Sequence, residues 1–469
     1  MPGKSIMDRP NILLISIDTL RADHLSCYGY YRKTSPNIDR IASEGTTFFR
    51  HYSTGVWTPP GHASMLTGLY VSEHGVHGEN RLSEKIPTIA SVLRENGYQT
   101  AGFVNNSQVG ELVGLAKGHD FFVEVWKGFR ASSLMGRITR GGIRRIRKIF
   151  AHEDMGASRT NRLFKIWLET EKEAGKPFYA FLHYIEPHNP LNPPCRFKKN
   201  FRTLESGSID KRKVKKIAHN PLSCFVDDLR PTEAEIAFLK ALYDGEIAYT
   251  DHKIGEIAEI LEKNGLYDNT MIIITSDHGE HFGEHGFWSH VASLHEEVLR
   301  IPLVIKYPNG PECAKEVEGY TQLIDIFPTV MDIAGVNANI STSGLSLSYD
   351  KKRSYHEHIF AEWEGRVPFY IKRRLRENGA KTDLRMFKTK MSMVQGPRYK
   401  YVLKEDGEEN LFDISSGSEK RCELANLSRE VRRMRGLLEE YGSPRTRYTG
   451  KTRSMDDEIK SNLESLGYI

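Results

Sequence analysis

The sequence predicts an α/β fold with a central, mostly parallel sheet flanked by helices, followed by a small C-terminal antiparallel α+β subdomain. Three observations carry this. Apolar runs rich in β-branched residues, at 11–17 and 271–275, read as strands buried on both faces, the parallel-sheet type. Helical periodicities alternate with such runs up to about residue 340. After that come short alternating segments and an Asp406-Gly407 hairpin signal. The boundary is placed near residue 345, giving a large domain 1–345 and a smaller one 346–469. A chain of 469 residues exceeds what one compact core usually holds.

The elements follow in order. The first run (NILLISI) ends at Asp18, and a carboxylate at the C-terminal end of a buried strand sits where open α/β sheets bind ligands. Ser35 and Pro36 cap and start a helix with Ile38 and Ile41 at helical spacing. In the stretch TPPGHASMLTG, Thr58 suits an N-cap, Pro59 or Pro60 a first turn, and Gly68 a C-terminal cap. Free N–H groups and the helix dipole at such a mouth favour an anion, so a hydroxyl there suggests attack on a sulfate or phosphate ester. Alone, the stretch reads first as an ordinary capped surface helix. A helix over 86–96 and a strand over 98–105 come next.

Residues 126–165 form a basic insertion with isoleucines at 138, 143, 146 and 149. It reads as a solvated helix rather than a membrane contact, because Gly141 and Gly142 interrupt any continuous interfacial face. The strand FYAFLHY at 178–184 leads to Glu186, Pro187 and His188. A Lys-rich stretch at 195–230 reads as a surface excursion. A long helix spans about 232–264, and the strand at 271–275 empties into Asp277 and His278. A strand at 301–305 and a helix opened by Asp325 complete the large domain.

Composition narrows the class. The chain is 39% hydrophobic and 27% charged, as soluble globular proteins are, and its net charge of +5 does not indicate nucleic acid. Five scattered cysteines argue against a disulfide framework or a thiolate zinc site. No apolar h-region or membrane-length run is present, so the expected location is cytoplasmic.

Two buried strands ending in carboxylates converge on one sheet edge. Asp18, Asp277, His278 and the Thr58 hydroxyl make an O/O/O/N set suited to one divalent ion, Mn²⁺, Zn²⁺, Mg²⁺ or Ca²⁺, with the histidine tilting toward Mn²⁺ or Zn²⁺. A metal on the threonine hydroxyl would lower its pKa and supply an alkoxide. Singly, Asp18 is also a turn or cap residue and Asp277-His278-Gly279 a β-turn. His62, one turn past Thr58, could face the same anion, and His188 and His290 could hydrogen-bond ester oxygens or protonate a leaving group. His74, His77, His281, His285 and His295 read as structural or surface residues.

NILLISIDTLRADHLSCYGY, SPNIDRIASEGTTF, TPPGHASMLTGLY, TSDHGEHFGEHG, LRIPLVI and IDIFPTVMDIAG, in that order, resemble the sulfatase family of the alkaline-phosphatase superfamily over roughly residues 10–340. The tail GPRYKYVLKEDGEENLFD resembles that family's small C-terminal sheet. The resemblance implies the sulfatase fold, a metal at the C-terminal edge of its sheet and covalent catalysis. It makes Asp18, Asp277 and His278 metal ligands and puts Thr58 at the nucleophile. His62 falls on the family's nucleophile-adjacent Arg, His188 and His290 on substrate-binding His and Lys positions, and Asn106 near another Lys.

The chain also departs from the family. Sulfatases carry Cys or Ser, converted to formylglycine, where this chain has Thr58, and threonine cannot form that aldehyde. Gly61-His62 replaces the Ser-Arg of the modification pattern, and Thr19 replaces the second Asp of the usual pair. A threonine nucleophile beside Asp, Asp and His is similar instead to lipoteichoic acid synthases, phosphoethanolamine transferases and nucleotide phosphodiesterases. The expectation is a hydrolase of a small anionic, glycan-linked or lipid-linked ester, with phosphate or phosphonate esters preferred. Direct sulfate ester hydrolysis without formylglycine, and a non-catalytic binder of sulfated or phosphorylated glycans, are the alternatives.

Overall fold

A computed structural model describes residues 9–127, 154–201, 208–227, 229–310, 315–338, 340–349, 354–378, 383–442, 448, 450–453, 455 and 457–466. The main sheet has eight strands: β1 (Asn11–Ile17), β2 (Thr46–Phe48), β3 (Gln99–Val104), β4 (Phe121–Glu124), β5 (Phe178–Tyr184), β6 (Thr270–Thr275), β7 (Leu303–Lys306) and β8 (Glu316–Val317). Their order is β8-β2-β7-β6-β1-β5-β3-β4. β7 runs antiparallel to both its neighbours, and the other pairings are parallel.

Strand alternation assigns each residue of β1 to a face. Ile12 and Leu14 pack with α2 (Thr58–Thr67), α3 (Ile89–Glu95) and, further along the chain, the helix Ile326–Ala334. Leu13, Ile15 and Ile17 pack on the other face, against α1 (Pro36–Ser43), α4 (Ala157–Thr170), α5 (Lys211–His219) and α6 (Glu233–Lys263). Because both faces are covered, β1, β5 and β6 are buried along their whole length. The helix Ile326–Ala334 is α7. Thr232 caps α6 through its hydroxyl, with Glu235 completing a capping box.

The C-terminal sheet is antiparallel throughout, in the order β9 (Ile359–Trp363), β10 (Met391–Gln395), β11 (Tyr399–Lys404), β12 (Glu409–Asp413), β13 (Lys420–Arg421). Helix α8 (Ser428–Gly442) covers it with Val431, Met434 and Leu438. The chain then returns to the large domain: Arg453 N donates to the Glu79 carbonyl, and its guanidinium reaches Asn80 and Gln108.

Three expectations are modified. Thr58 is the first residue of α2, not its N-cap, which is Trp57. The helix is not a surface helix, since every residue from Thr58 to Thr67 is buried. Within the stretch 195–230, Val214, Ile217, Ala218 and Leu222 are buried, so a lysine-rich helix there also supplies core. Its charged positions masked an amphipathic stripe. Residues 128–153, which hold the isoleucine stripe, lie outside the described residues. Among the described residues, no helix is long and apolar enough to cross a membrane.

Candidate active site

Adjacent strands β6, β1 and β5 bring the candidate residues to one edge, because parallel strands end together. Asp18 follows β1, and its N–H extends the ladder by donating to the Tyr184 carbonyl at 2.9 Å. Asp277 and His278 follow β6, and His188 follows β5 after a turn. One ligand atom from each of Asp18, Asp277 and His278 lies within 4.8 Å of the other two, and all three residues are fully buried.

The set fits a divalent cation. Asp18 Oδ1 and Thr19 Oγ1 are buried with no hydrogen-bond partner, as is Asp277 Oδ2, although nitrogens of His62 and His278 lie 3.3 Å from Oδ2. Leaving such oxygens uncompensated is costly, and a cation compensates them. Burial, reinforced by the neighbouring Asp277 charge, raises the Asp18 carboxyl. Burial also works to raise Asp277, but His278 and His62 overcome it and hold that carboxyl below the usual range. His278 donates its Nδ1–H to the Gly279 carbonyl at 2.9 Å, which directs the Nε2 lone pair to the carboxylates. Thr19 is held at φ +59, unusual for a β-branched residue, and Tyr243 clamps it by donating to its carbonyl at 2.6 Å.

Helix α2 delivers Thr58. Its Oγ1 stands 3.4 Å from His278 Nε2. Gly61 lets the helix approach: a Cβ there would fall 2.7 Å from the Asp277 carbonyl oxygen. His62 is occupied by the protein rather than presented to an anion. Its Nδ1–H donates to the Thr58 carbonyl at 2.9 Å, and its Nε2 pairs with Ser16 Oγ at 3.0 Å. Burial lowers its pKa, but the Asp277 carboxylate overcomes this and raises it.

The His278 and His290 rings are 4.3 Å apart, and those of His188 and His290 5.3 Å. His188 donates Nδ1–H to the Asn189 carbonyl at 2.8 Å, and His290 Nδ1 faces Glu280 at 3.4 Å. Burial lowers both, His290 to about 4. A narrow cleft of ≈ 50 Å³ opens beside them, lined by Trp57, Trp363, Arg366 and Leu466 among others.

Sequence reasoning missed three contributors. His183 on β5 stands 3.5 Å from Asp18 Oδ2, and Ser16 on β1 holds His62. Each is a polar residue inside an otherwise apolar buried strand, and that is the signal that could have found them. Glu280 faces His290, and burial raises it to about 7. Asn106, following β3, donates Nδ2–H to Asp18 Oδ2 at 3.0 Å.

A family model described as Sulfatase matches residues 10–336. The multifunctional alkaline phosphatase superfamily protein PehA of Trinickia caryophylli is 26% identical over 462 residues, covering 84% of this chain and 87% of its own. An arylsulfatase of Clostridium perfringens is 26% identical over 396 residues, covering 76% and 81%. The crystal structure of the phosphonate monoester hydrolase of Agrobacterium radiobacter shares the fold, with TM-score 0.70 and 22% identity, over 92% of this chain and 95% of its own. With most of its length matched by that family model, and its strand-end carboxylates converging as the fold requires, the chain belongs to the sulfatase family and is a hydrolase acting on ester bonds.

Proposed function

We propose that this hydrolase is metal-dependent, uses Thr58 as its nucleophile and prefers phosphate or phosphonate esters to sulfate esters. The observation that carries the reading is the Thr58 hydroxyl at the mouth of α2, 3.4 Å from His278 of the Asp18/Asp277/His278 cluster. A divalent cation held by those three residues supplies positive charge that acidifies the hydroxyl and offsets charge on the transferring group.

The Thr58 proton passes to solvent, Oγ1 bonds to phosphorus, and the bond from phosphorus to the ester oxygen breaks. His188 and His290, each with Nδ1 engaged, carry a proton on Nε2 to the leaving oxygen. Burial keeps both neutral before substrate arrives, and the negative charge of the ester favours their protonation. Water then attacks phosphorus, the bond to Oγ1 breaks, and Thr58 regains a proton. His62 acts through Asp277 and the Thr58 carbonyl as a positioning residue. A threonine ester has no second hydroxyl through which to expel its acid group. It must therefore be opened by attack at phosphorus or sulfur, which is the reason for preferring phosphoesters. The phosphonate monoester hydrolase and PehA among its relatives support that preference.

Purified protein loaded in turn with Mn²⁺, Zn²⁺, Mg²⁺ or Ca²⁺ is assayed on aryl sulfate, phosphate monoester, phosphodiester and phosphonate ester. The expected result is highest kcat/KM on a phosphorus ester, abolished by chelation and reduced on the order of 10³-fold or more in Thr58→Ala. Activity confined to aryl sulfate overturns the preference. Full activity in Thr58→Ala overturns the nucleophile.

A further inference from the structure

The segment that carries His290 also carries His285 and His295, and neither takes part in the site above. His285 sits in the turn Glu284–Gly286 at φ +55, a conformation uncommon outside glycine. Its ring stacks on His295 with centroids 4.0 Å apart and planes 9° from parallel. His295 Nδ1 contacts the carboxylate of Glu419, which lies in the connection between β12 and β13 and so belongs to the other sheet. One ligand atom from each of His285, His295 and Glu419 lies within 4.8 Å of the other two.

A fourth donor is at hand. Glu297 Oε1 stands 3.2 Å from His285 Nε2, while its Oε2 is buried with no hydrogen-bond partner among the described residues. Burial alone would raise the Glu419 carboxyl, but Lys400, 2.6 Å away, and His295 hold it down to about 2, so it is ionised at neutral pH. Two imidazoles and two carboxylates, with no thiolate, form the donor set of a tetrahedral zinc site. A cavity of ≈ 510 Å³ lined by Phe287, Ser293, His295 and Arg421 among others gives an ion a route in.

We propose that His285, His295 and Glu419, with Glu297 as the fourth ligand, form a structural zinc site that fastens the C-terminal sheet to the segment carrying His290. The ligands come from stretches more than a hundred residues apart in sequence, as the 124-residue separation of His295 and Glu419 shows. Binding there therefore closes a long loop and adds directly to the stability of the docked sheet. The site is separate from the Asp18/Asp277/His278 cluster and survives its loss.

The test counts zinc in the full chain after chelator stripping. In Asp277→Asn, which removes a ligand of the other cluster, titration with Zn²⁺ is expected to reach one equivalent. Adding His295→Ala is expected to bring it to none. Zn²⁺ should raise the unfolding temperature of Asp277→Asn but not of Asp277→Asn with Glu419→Gln. Co²⁺ in the same variant should give the strong visible absorption of a tetrahedral site, absent once Glu419 is replaced. Should Asp277→Asn fail to fold, the wild-type chain is expected to bind one equivalent more than His285→Ala. No zinc uptake by Asp277→Asn, or uptake undiminished by His285→Ala and His295→Ala, overturns the proposal. So does equal uptake by the wild type and His285→Ala.

Discussion

Gly61 shows how little space the site leaves at the residue scale. A Cβ at this position would meet the Asp277 carbonyl oxygen at 2.7 Å and the Asp277 Cβ at 3.2 Å. Neither can yield without moving the residue that supplies the buried carboxylate. Gly61→Ala is therefore expected to lose about 1–3 kcal/mol of stability, the usual cost of overpacking, and to lose activity disproportionately. Denaturant unfolding and kcat/KM measured side by side check this. His62 makes a second residue-scale prediction, because it touches Asp277 and the Thr58 backbone rather than the cleft. His62→Gln should weaken divalent-metal binding roughly 10–100-fold, as loss of a supporting hydrogen bond to a ligand does. A metal titration reads the shift. Unchanged metal affinity with raised KM would mean that His62 meets the substrate instead.

At the scale of elements, different forces hold different parts. Strand β1 is held by burial, for Leu14 is 0% exposed beneath α2 and α7. Helix α6 depends at its start on a cap, with the Thr232 side chain accepting from Glu235 N at 3.3 Å. Leu14→Ala is expected to cost about 2–5 kcal/mol and Thr232→Ala about 1 kcal/mol. Urea unfolding of the two variants separates these costs, and equal losses would contradict the assignment. α6 also reaches the site, since Tyr243 from its buried face both donates to the Thr19 carbonyl and accepts from Arg21 N. A mutation in this helix would thus be felt at the end of β1.

On the scale of the whole molecule, few polar links join the large domain to the segment leading into the C-terminal sheet, and one of them titrates near neutrality. His356 Nε2 lies 2.8 Å from Asp325 Oδ1, the carboxylate at the mouth of α7. Burial lowers the His356 pKa, but the Asp325 carboxylate and the hydrogen bond overcome this and raise it above 6.5. A group whose folded pKa is raised contributes stability that is complete below the unfolded value and lost as pH rises through the folded one. The thermal midpoint should therefore fall as pH rises from about 6.5, and His356→Gln should flatten that slope. Calorimetry across this window, with metal held constant, decides it.

The sequence by itself determined the elements and the family. Continuous apolar runs specified β1 and β6 as strands buried on both faces, and Asp18 and Asp277 at their ends marked the edge where chemistry would gather. Threonine at position 58 excluded the formylglycine route without any structure, because the conversion needs Cys or Ser. What pairs with what was left to the tertiary structure. The sequence order of β1, β5 and β6 does not reveal that they are neighbours, so the roles of Ser16 and His183 could not be assigned from it. Helical spacing put His62 on the same side as Thr58 but could not show that Asp277 and Ser16 occupy it. His285, His295 and Glu419 read as unrelated surface residues until the C-terminal sheet folds back against the segment at 285–295. Local periodicity and capping act over a few residues, whereas contacts at separations such as 124 or 258 residues arise only when the chain closes on itself.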